Sequence, residues 1–193
     1  MKFSACDLIN VAIFSVIYFV VIYAVAMLGI LGPIVMLVTL PLAVIVAGIP
    51  YMLFITKVKH AGMVALFGTV VALLYLISGQ PWQSTVLTIV LSVLAEFVLA
   101  AGRYRSKWAG IWAYTVFTMW FIGPWIPFFF DPAGYLQSQG MQAMGEDYVA
   151  QVAEIITVPA VIISLVAVFV CGILGGLLGS AMLKKHFVKA GLA

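Results

Sequence analysis

Charge is what this chain has least of. Its 193 residues include nine Lys and Arg and six Asp and Glu, 8% of the total, where soluble domains carry about 25%. So few charges, set against 66% hydrophobic residues, cannot solvate a globular surface and point to a bilayer as the solvent. Cysteine is nearly missing. Cys6 lies beside the first apolar run and Cys171 within the last, so no disulfide framework is available. Histidine is equally scarce: His60 and His186 lack a Cys, Asp or His neighbour at ligand spacing, so both read as solvated interfacial residues and no metal site is expected. HExxH, Walker A and G-x-S-x-G patterns are all missing, so catalytic residues, and with them an enzyme, are not expected. No internal repeat stands out, which removes sequence support for an inverted-repeat transporter.

What charge there is falls in a pattern. The bases form four short clusters: Lys2; Lys57 and Lys59; Arg103, Arg105 and Lys107; and Lys184, Lys185 and Lys189. Each gap holds enough apolar residues for two spans of about 20 residues and a turn. Cytoplasmic loops collect Lys and Arg, so all four clusters are expected on one membrane face with both termini cytoplasmic. Basic residues that flank spans are what topology demands, so nucleic acid is not an expected partner. Asp131, Glu146, Asp147 and Glu154 fall in the one long polar segment, on the opposite face.

Six spans fit, at about 8–28, 34–56, 62–78, 83–101, 108–130 and 158–183. The fold class expected is therefore an all-α integral membrane protein, residues 1–193 forming a single six-helix domain in a bacterial cytoplasmic membrane. Asp7 is placed to cap the first span. Phe3-Ser4-Ala5-Cys6 faintly resembles a lipoprotein box, but no apolar region precedes it. Ala24-Val25-Ala26 imitates a signal-peptidase site, but the apolar run before it is too long, so the first segment reads as a permanent span. Pro33 opens the second span where proline is tolerated, and Pro41 and Pro50 inside it predict a kink or break. Gly79-Gln80-Pro81-Trp82 reads as a turn. Residues 131–156 form an outside excursion, in which Tyr148, Val149, Val152, Ile155 and Ile156 recur at helical spacing and suggest an amphipathic helix on the membrane surface. Thr157, before Val158 and Pro159, reads as a fresh helix start.

Several residues carry two readings. Glu96 is the one ionisable residue within a span, the usual mark of an ion or proton site. It also lies only about 9 Å along a helix from Gly102, close enough to reach the interface or pair with Arg103. Gly172, Gly175, Gly176 and Gly179 make overlapping GxxxG patterns, suited to close packing within the bundle or against another subunit. Ala12 and Ser15 on the first span share that ambiguity. On the outside, Trp82, Trp120 and Trp125 are followed by Tyr135, Met141 and Met144. They fit an interfacial aromatic belt. They equally fit a small-molecule pocket, because Gly123, Pro124 and Pro127 would unwind the end of span five, and broken backbone at depth is tolerated where it lines a cavity. With four acids and no base on that face, a neutral or cationic, largely apolar ligand suits it better than an anion.

Three stretches carry a family resemblance. They are Gly48-Ile49-Pro50-Tyr51 through Lys57-Val58-Lys59, Met119-Trp120-Phe121-Ile122-Gly123-Pro124-Trp125-Ile126-Pro127, and Gly175-Gly176-Leu177-Leu178-Gly179 running into Met182-Leu183-Lys184-Lys185-His186-Phe187. In these, and in overall length and order, the chain resembles the Trep_Strep family, MptD-like S components of energy-coupling-factor (ECF) transporters. The resemblance implies a six-helix subunit that captures a micronutrient from outside, works with a transmembrane coupling (T) subunit and two cytoplasmic ATPase subunits, and topples to release its cargo inside. S components commonly dock through an Ala-x-x-x-Ala pattern on the first helix. Ala12 matches its first position, while Val16 stands at the second with Ser15 nearby. Intrinsic cofactors are not implied. Haem uptake is associated with some members, so haem or a vitamin-like molecule is the implied ligand, bound by Trp82, Trp120, Trp125, Tyr135, Met141 and Met144. Haem iron would have to be ligated by Met141, Met144 or Tyr135, because no His lies outside, and its propionates would find no Lys or Arg.

Overall fold

A computed structural model describes residues 4–58 and 60–183, and every regular element among them is helical. Lys2, Lys59, Lys184, Lys185, His186 and Lys189 lie outside the described residues. Helix α1 (Ala5–Ala26) starts at a capping box: the Asp7 amide donates to Ser4 Oγ at 3.1 Å, and the Asp7 carboxylate accepts from the Ser4 amide at 2.9 Å. Asp7 is thus the inner member of the cap, with Ser4 at its head. A 3-10 turn (Met27–Leu31) and Gly32, at φ 152°, a region open essentially to glycine, reverse the chain into α2 (Pro33–Lys57).

The break expected at Pro41 and Pro50 does not occur; α2 runs as one helix through both. The carbonyls these prolines leave without an intrahelical donor are those of Leu37 and Val46; between the prolines, the Tyr114 hydroxyl donates to the Val44 carbonyl and ties α5 to α2. Helix α10 (Val158–Met182) lies along α2. A Cβ on Gly48 would sit 2.2 Å from the Gly175 carbonyl oxygen, and one on Gly179 would sit 2.4 Å from the Gly48 oxygen. Gly172 faces Thr115 and Thr118, and Gly176 faces Ile111. All four span-six glycines are therefore taken up inside the bundle, where small residues let backbones touch.

Helices α3 (Met63–Ile77) and α4 (Trp82–Ala101) pair antiparallel, Gly68 of α3 resting against Ser92 of α4. Trp82 begins α4 instead of ending the turn before it. Among the described residues five helical segments, not the expected six, are long and apolar enough to cross a membrane; α3 is apolar but, at 15 residues or about 22 Å, falls outside the five. Helix α4 ends in a Schellman motif: the Arg103 amide donates to Ala100 and the Tyr104 amide to Leu99. Arg103 and Tyr104 both take positive φ, 52° and 57°. Gly102, the obvious residue for that conformation, is instead needed one step earlier, because a Cβ there would meet Ala109 at 2.2 Å.

Helix α5 (Lys107–Thr118) does not unwind at its end. It tightens into a 3-10 segment (Met119–Trp125) followed by α6 (Ile126–Phe130). The polar excursion folds into three short helices, α7 (Pro132–Leu136), α8 (Gln139–Gln142) and α9 (Glu146–Ile155). Helix α9 is amphipathic as expected, yet its apolar face is spent on protein: Tyr148 and Val152 pack with Trp125, Phe128, Ile156 and Val161 in an apolar cluster capping the bundle. The main core lies below it, built from α1 to α5, the 3-10 segment and α10.

Candidate functional site

Beneath the α7–α9 segment, on the face that carries no Lys or Arg, a cavity of about 660 Å³ opens between the first turn of the chain, the end of α3, the start of α4 and the 3-10 segment. Its size falls in the range of small-molecule sites, about 300–1,000 Å³. Trp82, Trp120, Trp125, Tyr135, Met141 and Met144 all line it. Trp82 stands at the rim, 65% exposed, because α4 starts there and projects it past the turn. Trp120 and Trp125 belong to the 3-10 segment, and both are buried. Tyr135 on α7, Met141 on α8 and Met144 in the turn after α8 close it from above.

The walls are aromatic and apolar. Trp120 stacks on Phe121 with ring centroids 4.4 Å apart and leans on Tyr75 at 4.6 Å. Phe128 meets Tyr135 edge-on at 5.7 Å. The Tyr75 hydroxyl and the Trp120 indole N–H are enclosed within the protein without a well-formed hydrogen bond, and the residues are only 5% and 3% exposed. The hydroxyls of Tyr18 and Tyr51 below them are unpartnered too, and the Tyr18 hydroxyl lies near the Trp120 indole and Tyr114. A buried orphan of this kind costs about 1–3 kcal/mol. Among the lining residues the one fully charged side chain is Asp131, whose carboxylate accepts from the Gly134 amide at 2.9 Å at the head of α7. Burial pushes the Tyr135 phenol up to about 12, with the Tyr148 hydroxyl adding to the shift.

Sequence reasoning missed Tyr75, and it missed the contributions of Ile22, Met27 and Met36 from the first helical pair. One signal was available for Tyr75: a hydroxyl inside an apolar span, one turn before Gly79. Gln80 and Gln83 add amide groups to the same lining.

The other candidates lie elsewhere. Glu96 is 8% exposed near the far end of α4. Its carboxylate accepts from the Val64 and Ala65 amides at 2.7 and 3.1 Å and from the Tyr104 hydroxyl at 2.7 Å. The expected Arg103 pairing is replaced by a cap on the first turn of α3, where a negative charge meets the positive end of the helix dipole. Tyr104 is held protonated by burial and by that carboxylate. His60 Nε2 lies 3.6 Å from an Asp7 oxygen and so has a carboxylate neighbour that sequence spacing did not reveal. Ala12 is exposed on α1, but Ser15 is fully buried, its hydroxyl donating to the Phe67 carbonyl at 3.2 Å. Three residues advance a helix by about 300°, which turns Ser15 to the inner face, so the expectation that it shares a docking surface with Ala12 is corrected. Among the described residues no three of His, Cys, Asp and Glu gather as a metal site.

No curated protein and no solved structure matches the chain. The family model described as "hypothetical bacterial integral membrane protein (Trep_Strep)" does match, over residues 5–189. The apolar spans and that nearly complete match agree, and the chain belongs to the Trep_Strep family of bacterial integral membrane proteins.

Proposed function

We propose that this protein is the substrate-capturing S subunit of an ECF-type importer, taking a small amphipathic molecule from the outer face and passing it inward. The observation that carries the reading is the cavity of about 660 Å³ on the base-free face, roofed by α7–α9 and walled by aromatic side chains. A scaffold that only binds helices has no use for such a space, and the span-six glycines that would have served it are consumed inside the bundle. In this reading α3 is the sixth crossing. Glu96 near the end of α4 holds the start of α3, so the two helices enter the membrane as one hairpin between the Lys57 and Arg103 clusters, and both termini are cytoplasmic.

Energy for uptake then comes from a T subunit and two cytoplasmic ATPases, and this chain hydrolyses nothing. It carries no cofactor of its own. Ala12, on the exposed face of α1, is the candidate contact for the T subunit. Native mass spectrometry of the purified chain tests the reading. A small molecule should be retained by the wild type and by Trp108→Ala, at the base-rich end, and lost by Trp125→Ala. Equal retention in both variants would overturn the pocket.

A further inference from the structure

Charge sorts the ligands that the cavity can take. Asp131 is the one fully charged residue of the lining, to which no Lys, Arg or His contributes. The protein uses only half of its carboxylate. Oδ1 accepts from the Gly134 amide at 2.9 Å, while Oδ2 has no hydrogen-bond or ion-pair partner among the described residues. Gly134, itself in the lining, has no Cβ to displace that oxygen. Asp131 is exposed to solvent as well as lining the cavity, so its charge stands where the cavity meets water. The other acids of this face, Glu146, Asp147 and Glu154, are exposed too. The described bases, Lys57, Arg103, Arg105 and Lys107, all lie at the opposite ends of the helices. A face with one sign of charge concentrates its counter-ions, and here those are cations. Inside, Trp82, Trp125 and Tyr135 belong to the walls. Among the described residues Trp82 and Trp125 pair with no other ring, so stacking takes up neither indole. Indole faces are the best aromatic partners of an organic cation.

Resting on the substrate-capture reading, we infer that the ligand is an organic monocation, an ammonium or quaternary ammonium head on an apolar body. The head pairs with the Asp131 carboxylate, and the body enters between the aromatic walls. One positive charge brings the lining to neutrality. An anion would instead lose its water beside an uncompensated carboxylate and is rejected.

The test uses the full chain in non-ionic detergent and three probes of nearly equal shape. They are benzyltrimethylammonium, its uncharged isostere neopentylbenzene, and the anion benzylsulfonate. Equilibrium dialysis against detergent-only chambers corrects for micelle partition. Wild type should bind the cation at least about tenfold more tightly than the anion, and added salt should weaken the cation but not neopentylbenzene. Asp131→Asn keeps the cap of α7, because Asn caps a helix as well as Asp does. It should weaken the cation about fivefold, the upper range for an exposed ion pair, and leave neopentylbenzene unchanged. Asp147→Asn removes the same charge outside the lining and should leave both probes unchanged. Anion binding as tight as cation binding, unchanged cation binding in Asp131→Asn, an equal loss in Asp147→Asn, or binding of none of the probes would each overturn the cation site. The capture reading stands or falls separately, on whether native mass spectrometry finds a retained ligand. A retained ligand that is neutral or anionic would overturn the cation and leave capture intact.

Discussion

Replacing Glu96 separates a structural acid from a working one. Its carboxylate holds two amides in the first turn of α3 and the Tyr104 hydroxyl, all within 3.1 Å. In Glu96→Leu the loss of an N-terminal cap costs about 0.5–2 kcal/mol, and the stranded Tyr104 hydroxyl adds about 1 kcal/mol. The expected loss is about 1.5–3 kcal/mol, read from unfolding in detergent by tryptophan fluorescence. Glu96→Gln keeps an acceptor oxygen and loses only the favourable charge at the helix terminus, about 0.3–1 kcal/mol. Ligand retention should survive Glu96→Gln, because the residue lies 14 positions from Trp82 along α4, about 21 Å from the cavity rim. Wild-type stability in Glu96→Leu would refute the cap. Loss of ligand or uptake in Glu96→Gln at unchanged stability would make Glu96 a working acid and refute the reasoning altogether.

Gly48→Ala should destabilise the bundle by at least about 1–3 kcal/mol, since its new methyl meets backbone that cannot move aside. Gly140→Ala, with nothing within 4 Å of its Cβ, should stay within about 0.5 kcal/mol of wild type in the same unfolding assay. Ser15→Ala should cost about 1 kcal/mol and leave co-purification with a T subunit unchanged, whereas Ala12→Trp should weaken co-purification at unchanged stability. The Tyr135 phenol is raised from 10.0 to about 12 by burial. Its contribution to stability is therefore complete below pH about 10 and is lost as pH rises toward about 12. Hydrogen exchange of the α7–α9 amides should accelerate across that window, less so in Tyr135→Phe, and should show no step from this residue between pH 6 and 9.

The parts of this protein legible in its sequence were those written as contrasts with lipid. Bases against apolar runs marked the ends of the spans, and one polar stretch among apolar ones marked the segment that became α7–α9. Tryptophans beside Gly123 and Pro124 marked the end of α5. The six residues expected at a pocket meet in one cavity because their segments cluster at the same end of the bundle. Two backbone expectations were corrected. Of the kink or break expected at the prolines of α2, the break does not occur, since the helix runs through both. The end of α5 tightened instead of unwinding.

The sequence by itself determined the membrane class, the side on which the bases gather, and the chemical character of the opposite face. Only the tertiary structure decided which side of each helix looks inward. In water a helix declares its inner face by being apolar on one side. Here lipid and core are equally apolar, and helix association rests on packing and hydrogen bonds. Nothing in the local sequence therefore turned Ser15 and the span-six glycines inward, placed the Glu96 carboxylate on α3, or brought Tyr75 and Trp120 to one cavity. Those facts exist only where helices meet.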